Sequence, residues 1–158
     1  MAKSITFQGH QNTFFKGSFF FTENNKVSVR NTANTPAGSF DEICGYADIP
    51  NPETAPAELL VHFPFAPAAD YWVLETDYDN FASVYACVDV LGIIHIEFAW
   101  VLVRDPQNVT YELMEQALNA YKTQGLSVDN FLPVSHENCG DYENPSGAEV
   151  CSGGGWGK

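Results

Sequence analysis

Short apolar runs, each ended by turn-forming residues, fill most of this chain and restrict its fold more than any other feature. Glu23-Asn24-Asn25-Lys26 separates the runs 14–21 and 27–31, as expected of a hairpin turn. Asn34-Thr35-Pro36-Ala37-Gly38 and Pro50-Asn51-Pro52 interrupt the runs that follow. This punctuation is typical of an antiparallel barrel or sandwich, so the sequence predicts an all-β fold.

Alternation of polar and apolar residues predicts which side chains face the interior of that fold. Lys16, Ser18, Arg30, Glu58 and His62 are polar and should face water. Their sequence neighbours then point the other way. The predicted interior set is Phe15, Gly17, Phe19, Phe21, Val27, Val29, Asn31, Leu59, Val61 and Phe63.

One segment has helical periodicity instead. Apolar residues recur at helical spacing between Thr110 and Gly125, with Asn108 or Thr110 available as an N-cap and Gly125 as a C-terminal stop. The sequence therefore predicts a single helix over about 110–124. Its apolar stripe should pack on the outside of the sheet; a helix that binds a partner is the alternative.

Composition narrows the class of partner. The 158 residues suit one domain, and 45% hydrophobic residues can supply its core. Twenty acidic and seven basic residues give a net charge of −13, which repels nucleic acids and anionic lipid surfaces. Because no run of about 18 apolar residues is present, membrane insertion is not predicted.

The four cysteines, Cys44, Cys87, Cys139 and Cys151, form no Cys-x-x-Cys pair. An even count without that motif favours disulfides in an oxidising compartment, so the sequence predicts a secreted protein and leaves three pairings open. His136 and Cys139 have no second pair of ligands nearby, so no metal site is predicted. The chain also lacks a nucleophile–base motif and a phosphate loop, and it is not expected to be an enzyme.

Two segments at a fixed spacing carry a family resemblance. The run 71–87 places the turn Thr76-Asp77-Tyr78 between two apolar stretches, and the run 95–104 ends at Arg104. This arrangement resembles the second and third signature segments of the lipocalin family, closest to its apolipoprotein D and crustacyanin branches. The resemblance implies an eight-stranded antiparallel up-and-down barrel with one helix after the last strand. It also implies carriage of a hydrophobic small molecule.

The first lipocalin signature, Gly-x-Trp on the opening strand, stands at the other end of this chain. Gly154-Gly155-Trp156-Gly157-Lys158 read on into Met1-Ala2-Lys3-Ser4 resembles one first strand cut in two. We therefore expect a single domain over 1–158, circularly permuted, with the first-strand motif split between 152–158 and 1–8. A truncated barrel with a flexible Gly-rich tail is the alternative. In relatives the motif tryptophan packs on the motif arginine, which implies a contact between Trp156 and Arg104.

The resemblance also implies disulfides. Relatives tie the seventh strand to the segment before the first, which implies a bridge between Cys87 and Cys151. Cys139 corresponds to the C-terminal cysteine of the family, but the usual partner position falls near Phe14. A second bridge would therefore use Cys44.

The same resemblance implies a ligand pocket. The pocket positions of apolipoprotein D-like proteins fall on Phe19, Asn31, Phe63, Trp72 and Trp100, and alternation alone also turned the first three of these inward. Such a lining suits a long hydrophobic ligand held by few polar contacts. The alternative is that the aromatic side chains simply fill the barrel.

Two features favour a carotenoid as that ligand. The segment 131–136, followed by Cys139, resembles the C-terminal segment of crustacyanins, which hold astaxanthin and assemble into oligomers. His95 matches a histidine that crustacyanin-type subunits place near a carotenoid end ring, although alternation turns it away from the interior, where it would be solvated. The sequence thus predicts a coloured carotenoid-binding protein, as a monomer or as a homo- or hetero-oligomer. A bilin, retinoid, steroid or fatty acid is the alternative ligand.

Overall fold

Eight strands and one helix form the part of the chain that the structure describes. The computed structural model describes residues 2–6, 14–21, 26–34, 40–90 and 94–134, with side chains over 26–32, 42–88 and 95–134. Each strand pairs antiparallel with the next along the chain and β1 pairs with β8, so the sheet closes into an up-and-down barrel. The predicted all-β barrel with one helix is confirmed. Its elements are β1 Ala2–Thr6, β2 Phe14–Phe21, β3 Val27–Asn34, β4 Phe40–Asp48, β5 Glu58–His62, β6 Ala69–Thr76, β7 Phe81–Val90, β8 Ile94–Val103 and α1 Tyr111–Thr123.

The helix α1 packs on the outside of β6, β7 and β8, as its apolar stripe predicted. Thr110 caps its first turn by accepting the N–H of Leu113 at 3.2 Å, and Gly125 follows its end at a φ of 76°. The fully buried Tyr121 places its hydroxyl 2.7 Å from the carbonyl oxygen of Trp100. This contact joins the helix directly to the backbone of the barrel. The cluster between them is Phe81, Val101, Val103, Ala117 and Tyr121.

A second cluster lies inside the barrel. Leu59, Phe63 and Tyr71 pack against four buried residues contributed by β3, β4 and β5. The inner faces predicted from alternation are therefore confirmed for β3 and for the segment that contains β5. Glu58 is exposed and His62 faces outward, where its Nε2 lies 3.0 Å from Asp48 Oδ2. The four buried residues are Val27, Val29, Ala47 and Val61.

A register shift in β6 reverses the alternation of its side chains. Glu75 faces α1 on the outside, where it accepts a hydrogen bond from Gln116 at 3.2 Å. Strict alternation would place Tyr71 on that outer face too, but the shift between positions 73 and 75 turns it into the interior cluster. Trp72 consequently faces outward. Its ring lies 6.2 Å from that of Tyr85, which packs on the cluster beneath α1.

The two ends of the barrel carry different connections, because successive strands run in opposite directions. At the end where β8 finishes, the Arg104 guanidinium donates from Nε and Nη2 to the Tyr78 carbonyl at 2.9 and 2.7 Å. Arg104 thereby fixes the turn between β6 and β7, and we call this end the Arg104 end. The β5–β6 connection lies at the opposite end, which we call the mouth.

The expected bridge between Cys87 and Cys151 is wrong, because Cys87 carries a free thiol. Its side chain follows that of Tyr85 on the outer face of β7. Cys44 is disulfide-bonded, and its remaining possible partners, Cys139 and Cys151, lie outside the described residues. None of the described helices is long and apolar enough to cross a membrane.

Candidate ligand-binding interior

Three aromatic rings line one side of the barrel interior. Trp100 stacks on Phe98 at 5.8 Å between ring centroids, with the ring planes 2° apart. Trp100 also stacks on Tyr71, with the ring centroids 6.2 Å apart and the ring planes 19° apart. Tyr71 and Trp100 stand on β6 and β8, and the intervening strand β7 contributes the small residue Ala86. We call Tyr71, Phe98 and Trp100 the aromatic wall.

Phe63 reaches the interior because β4 has a glycine beneath it. A Cβ atom on Gly45 would lie 2.6 Å from Cδ1 of Phe63 and 2.3 Å from the carbonyl oxygen of His62. Both distances are too short for a real side chain. Gly45 therefore allows the Phe63 ring to lie flat against the strand and to pack on the interior cluster.

One polar atom is buried without a partner in this apolar interior. Oδ1 of Asn31, on β3, is inaccessible to solvent and accepts no hydrogen bond from any described residue. Leaving a buried acceptor unpaired costs about 1–3 kcal/mol, and most such atoms in folded proteins are paired. Asn31 thus offers a hydrogen-bond acceptor to a molecule that enters the barrel.

Two large interior-facing residues near the mouth are accessible. Ile43 stands opposite Asn31 on β4 and is 42% exposed, and Ile96 shares the face of Phe98 on β8 and is 43% exposed. A barrel filled by its own side chains would bury both. A small molecule can therefore reach Ile43, which stands next to the buried Asn31 amide on the neighbouring strand.

The family follows from comparison with known proteins. The lipocalin / cytosolic fatty-acid binding protein family matches residues 13–138. The chain is a lipocalin. It is 34% identical over 136 residues to apolipoprotein D of Macaca fascicularis, covering 82% of this chain and 71% of that one. It is 29% identical over 94 residues to the crustacyanin-A1 subunit of Homarus gammarus, covering 60% and 51%.

A solved structure agrees with the fold of this lipocalin. Apocrustacyanin C2 superimposes with a TM-score of 0.71 at 21% identity, covering 87% of this chain and 76% of that one. The family match and the likeness to apolipoprotein D and to the crustacyanin-A1 subunit confirm the expected family and branch.

The lipocalin barrel turns three of the predicted pocket residues to its interior. Asn31, Phe63 and Trp100 all lie on the interior side, and their contact with a ligand stays a prediction. The backbone of Phe19 stands opposite Val29 in the β2–β3 pairing, and its side chain lies outside the described part. Trp156 also lies outside it.

Two of the predicted pocket residues are not in the interior. Trp72 faces outward because of the register shift in β6, so its assignment to the pocket is wrong. His95 is exposed and shares the outer face of β8 with Glu97, which accepts the Tyr85 hydroxyl at 2.7 Å. His95 therefore lies on the outer face, as alternation predicted, and its contact with a ligand stays a prediction.

Sequence reasoning missed Tyr71 as a pocket residue and left Phe98 unassigned. Burial raises the pKa of the Tyr71 phenol, and the nearby Tyr121 raises it further, so the hydroxyl keeps its proton at neutral pH. Tyr71 therefore presents a neutral aromatic surface to the interior. No group of three or more His, Cys, Asp or Glu side chains in the described part of this lipocalin is placed to hold a metal ion.

Proposed function

We propose that this lipocalin is a secreted carrier of an extended apolar molecule with a hydrogen-bond donor at one end, and that a carotenoid such as astaxanthin is that molecule. The observation that carries the proposal is the unpaired Asn31 amide oxygen in an accessible, aromatic interior. Disulfide bonding at Cys44 supports secretion, because structural disulfides persist in oxidising compartments.

The aromatic wall supplies most of the affinity in this proposal. A conjugated chain is flat and apolar, and the nearly parallel rings of Phe98 and Trp100 present a flat surface of matching chemistry. Burial of apolar surface contributes roughly 25 cal/mol per Å² before the costs of ordering are subtracted. A rod-like ligand that covers the whole wall gains more than a compact ligand that covers one ring.

Asn31 selects the polar end of the ligand. A hydroxyl on a terminal ring donates to Oδ1 and removes the cost of leaving that atom unpaired. A hydrocarbon of the same shape leaves the cost in place. The likeness to crustacyanins supports the carotenoid class, while a bilin, retinoid, steroid or fatty acid is the alternative.

A parallel titration tests the ligand class. Delipidated protein is titrated with astaxanthin, with β-carotene as the matched carotenoid without polar groups, with a bilin and with a fatty acid. We expect saturable uptake of astaxanthin and weaker uptake of β-carotene, by about tenfold for one buried hydrogen bond. Tight binding of the bilin without uptake of either carotenoid would exclude the proposal.

A variant of Asn31 makes the test specific to the site. Asn31→Leu should abolish the preference for astaxanthin over β-carotene, because it removes the polar atoms and keeps the branched shape at Cγ. Trp72→Phe is the control: this ring lies outside the barrel, so quenching of the remaining tryptophan fluorescence on binding should persist.

A further inference from the structure

The connection between β5 and β6 is an apolar loop over which no described residue packs. Residues 64–68 have the sequence Pro-Phe-Ala-Pro-Ala, and each of them is exposed. The relative exposure of Phe65 is 109%, more than that of any other large exposed hydrophobic residue described. We call residues 64–68 the mouth loop.

The fold offers no reason for the conformation of this loop. Phe65 has a φ of 63°, in the left-handed region that bulky residues avoid. The ring is wholly exposed, so it gains no packing from the described residues to offset that cost. A surface outside the protein that buries the ring would offset both the cost of the backbone conformation and the cost of exposing the ring to water.

The backbone of the mouth loop is suited to leaving water. Pro64 and Pro67 have no N–H group to leave unpaired. The N–H of Ala66 already donates to the carbonyl of Phe63 at 3.4 Å. Fewer backbone donors therefore lose a water partner when the loop enters an apolar phase.

Charge indicates which surface covers the loop. The chain carries a net charge of −13, yet the mouth loop has no charged residue. Three further connections between strands, residues 7–13, 35–39 and 91–93, also contain no Asp, Glu, Lys or Arg in the sequence. A second copy or an anionic membrane would be repelled by the rest of the molecule. A zwitterionic lipid surface would not.

We propose that the mouth loop docks on zwitterionic lipid by inserting Phe65 between the headgroups. Phe63, two residues earlier, packs in the barrel interior, so docking places the opening of the barrel against the lipid. An apolar ligand can then pass between lipid and barrel with little contact with water. The overall charge predicted no membrane-surface binding, but that argument does not apply to an uncharged loop on an uncharged surface.

The test measures binding of the unliganded protein to phosphatidylcholine vesicles by flotation, so its result does not depend on the ligand proposed above. The protein should float with the vesicles, and Phe65→Asn should lower the partition coefficient about tenfold, the loss expected for one buried phenylalanine side chain. Asparagine tolerates a positive φ, so this variant should fold.

Tyr78 provides the matched control. It is also aromatic, has a φ of 64° and is 79% exposed, but it lies at the Arg104 end. Tyr78→Asn should leave vesicle binding unchanged, and adding phosphatidylserine should weaken binding of the unmodified protein.

Three results would overturn the proposal: no flotation of the unmodified protein, an equal loss in both variants, or stronger binding to anionic vesicles. Sedimentation identifies the other occupant. If Phe65→Asn converts a dimer into a monomer and neither protein floats, the loop contacts a second copy instead.

Discussion

At the scale of single residues, Asp77 organises the turn between β6 and β7 with one side chain. Its Oδ1 accepts the backbone N–H groups of Asp79, Asn80 and Phe81 at 3.2, 2.7 and 2.9 Å. Partial desolvation raises the pKa of Asp77, but the hydrogen bonds from Phe81, Asn80 and Asp79 outweigh it and lower the pKa to about 2. The ionised carboxylate is therefore the form that holds the turn.

Replacing Asp77 should make stability depend less on pH. Because the folded pKa of about 2 lies below the ordinary value of 3.8, the carboxylate contributes stability above pH 3.8 that is lost as the pH falls towards 2. Asp77→Ala should lower the free energy of unfolding by about 1 kcal/mol at pH 7, since the site is solvent-exposed. Urea unfolding at pH 7 and pH 2 measures the difference, which should shrink at pH 2. An equal loss of stability at pH 7 and pH 2 would show that the charge of Asp77 does not stabilise the turn.

At the scale of elements, alternation predicted the inner face of strands whose outer face is marked by polar residues, and it gave no prediction for β6. In β3 and β5, polar residues such as Arg30 and Glu58 mark the outer face, so alternation identified the inner one. In β6 large apolar residues stand on both faces: Trp72 and Leu74 lie outside, where α1 packs nearby, and Tyr71 lies in the interior. The sequence has no glycine at the register shift, although glycine often marks such a position. Alternation therefore assigned no face to β6, and the pocket position taken from the family resemblance fell on Trp72, whereas Tyr71 lies in the interior.

Substitutions at these two neighbours test the register. Tyr71→Ala removes part of the aromatic wall and should weaken binding of astaxanthin about tenfold. Trp72→Ala should change the affinity less than twofold, because its ring lies outside the barrel against Tyr85. Titration followed by visible absorption gives both values, and Tyr71→Phe should bind like the unmodified protein. A larger effect from Trp72 than from Tyr71 would contradict the register.

At the scale of the whole molecule, closure of the barrel depends on the pairing of β1 with β8. Lys3 stands opposite Val103 and Thr6 opposite Trp100, so β1 begins at the Arg104 end and runs towards the mouth. The resemblance placed the Gly-x-Trp motif before this strand, and the register is compatible with that order. The family, the barrel and the helix could be predicted from sequence because they depend on many residues. The pairing of Cys87 could not be predicted, because it was inferred from a single position matched to the family.

We infer that the first strand continues from Trp156 across the two chain ends into β1, and that Trp156 packs on Arg104. A double-mutant cycle tests this contact. Trp156→Ala and Arg104→Ala should each lower the free energy of unfolding. If the side chains touch, the double variant should lose less than the sum of the single losses, by about 0.5–2 kcal/mol for a partly buried cation–π pair. Arg104→Ala also removes the hydrogen bonds to the Tyr78 carbonyl. That loss occurs in both the single and the double variant, so it cancels in the cycle. Additive losses, or no loss from Trp156→Ala, would show that the glycine-rich segment is a flexible tail.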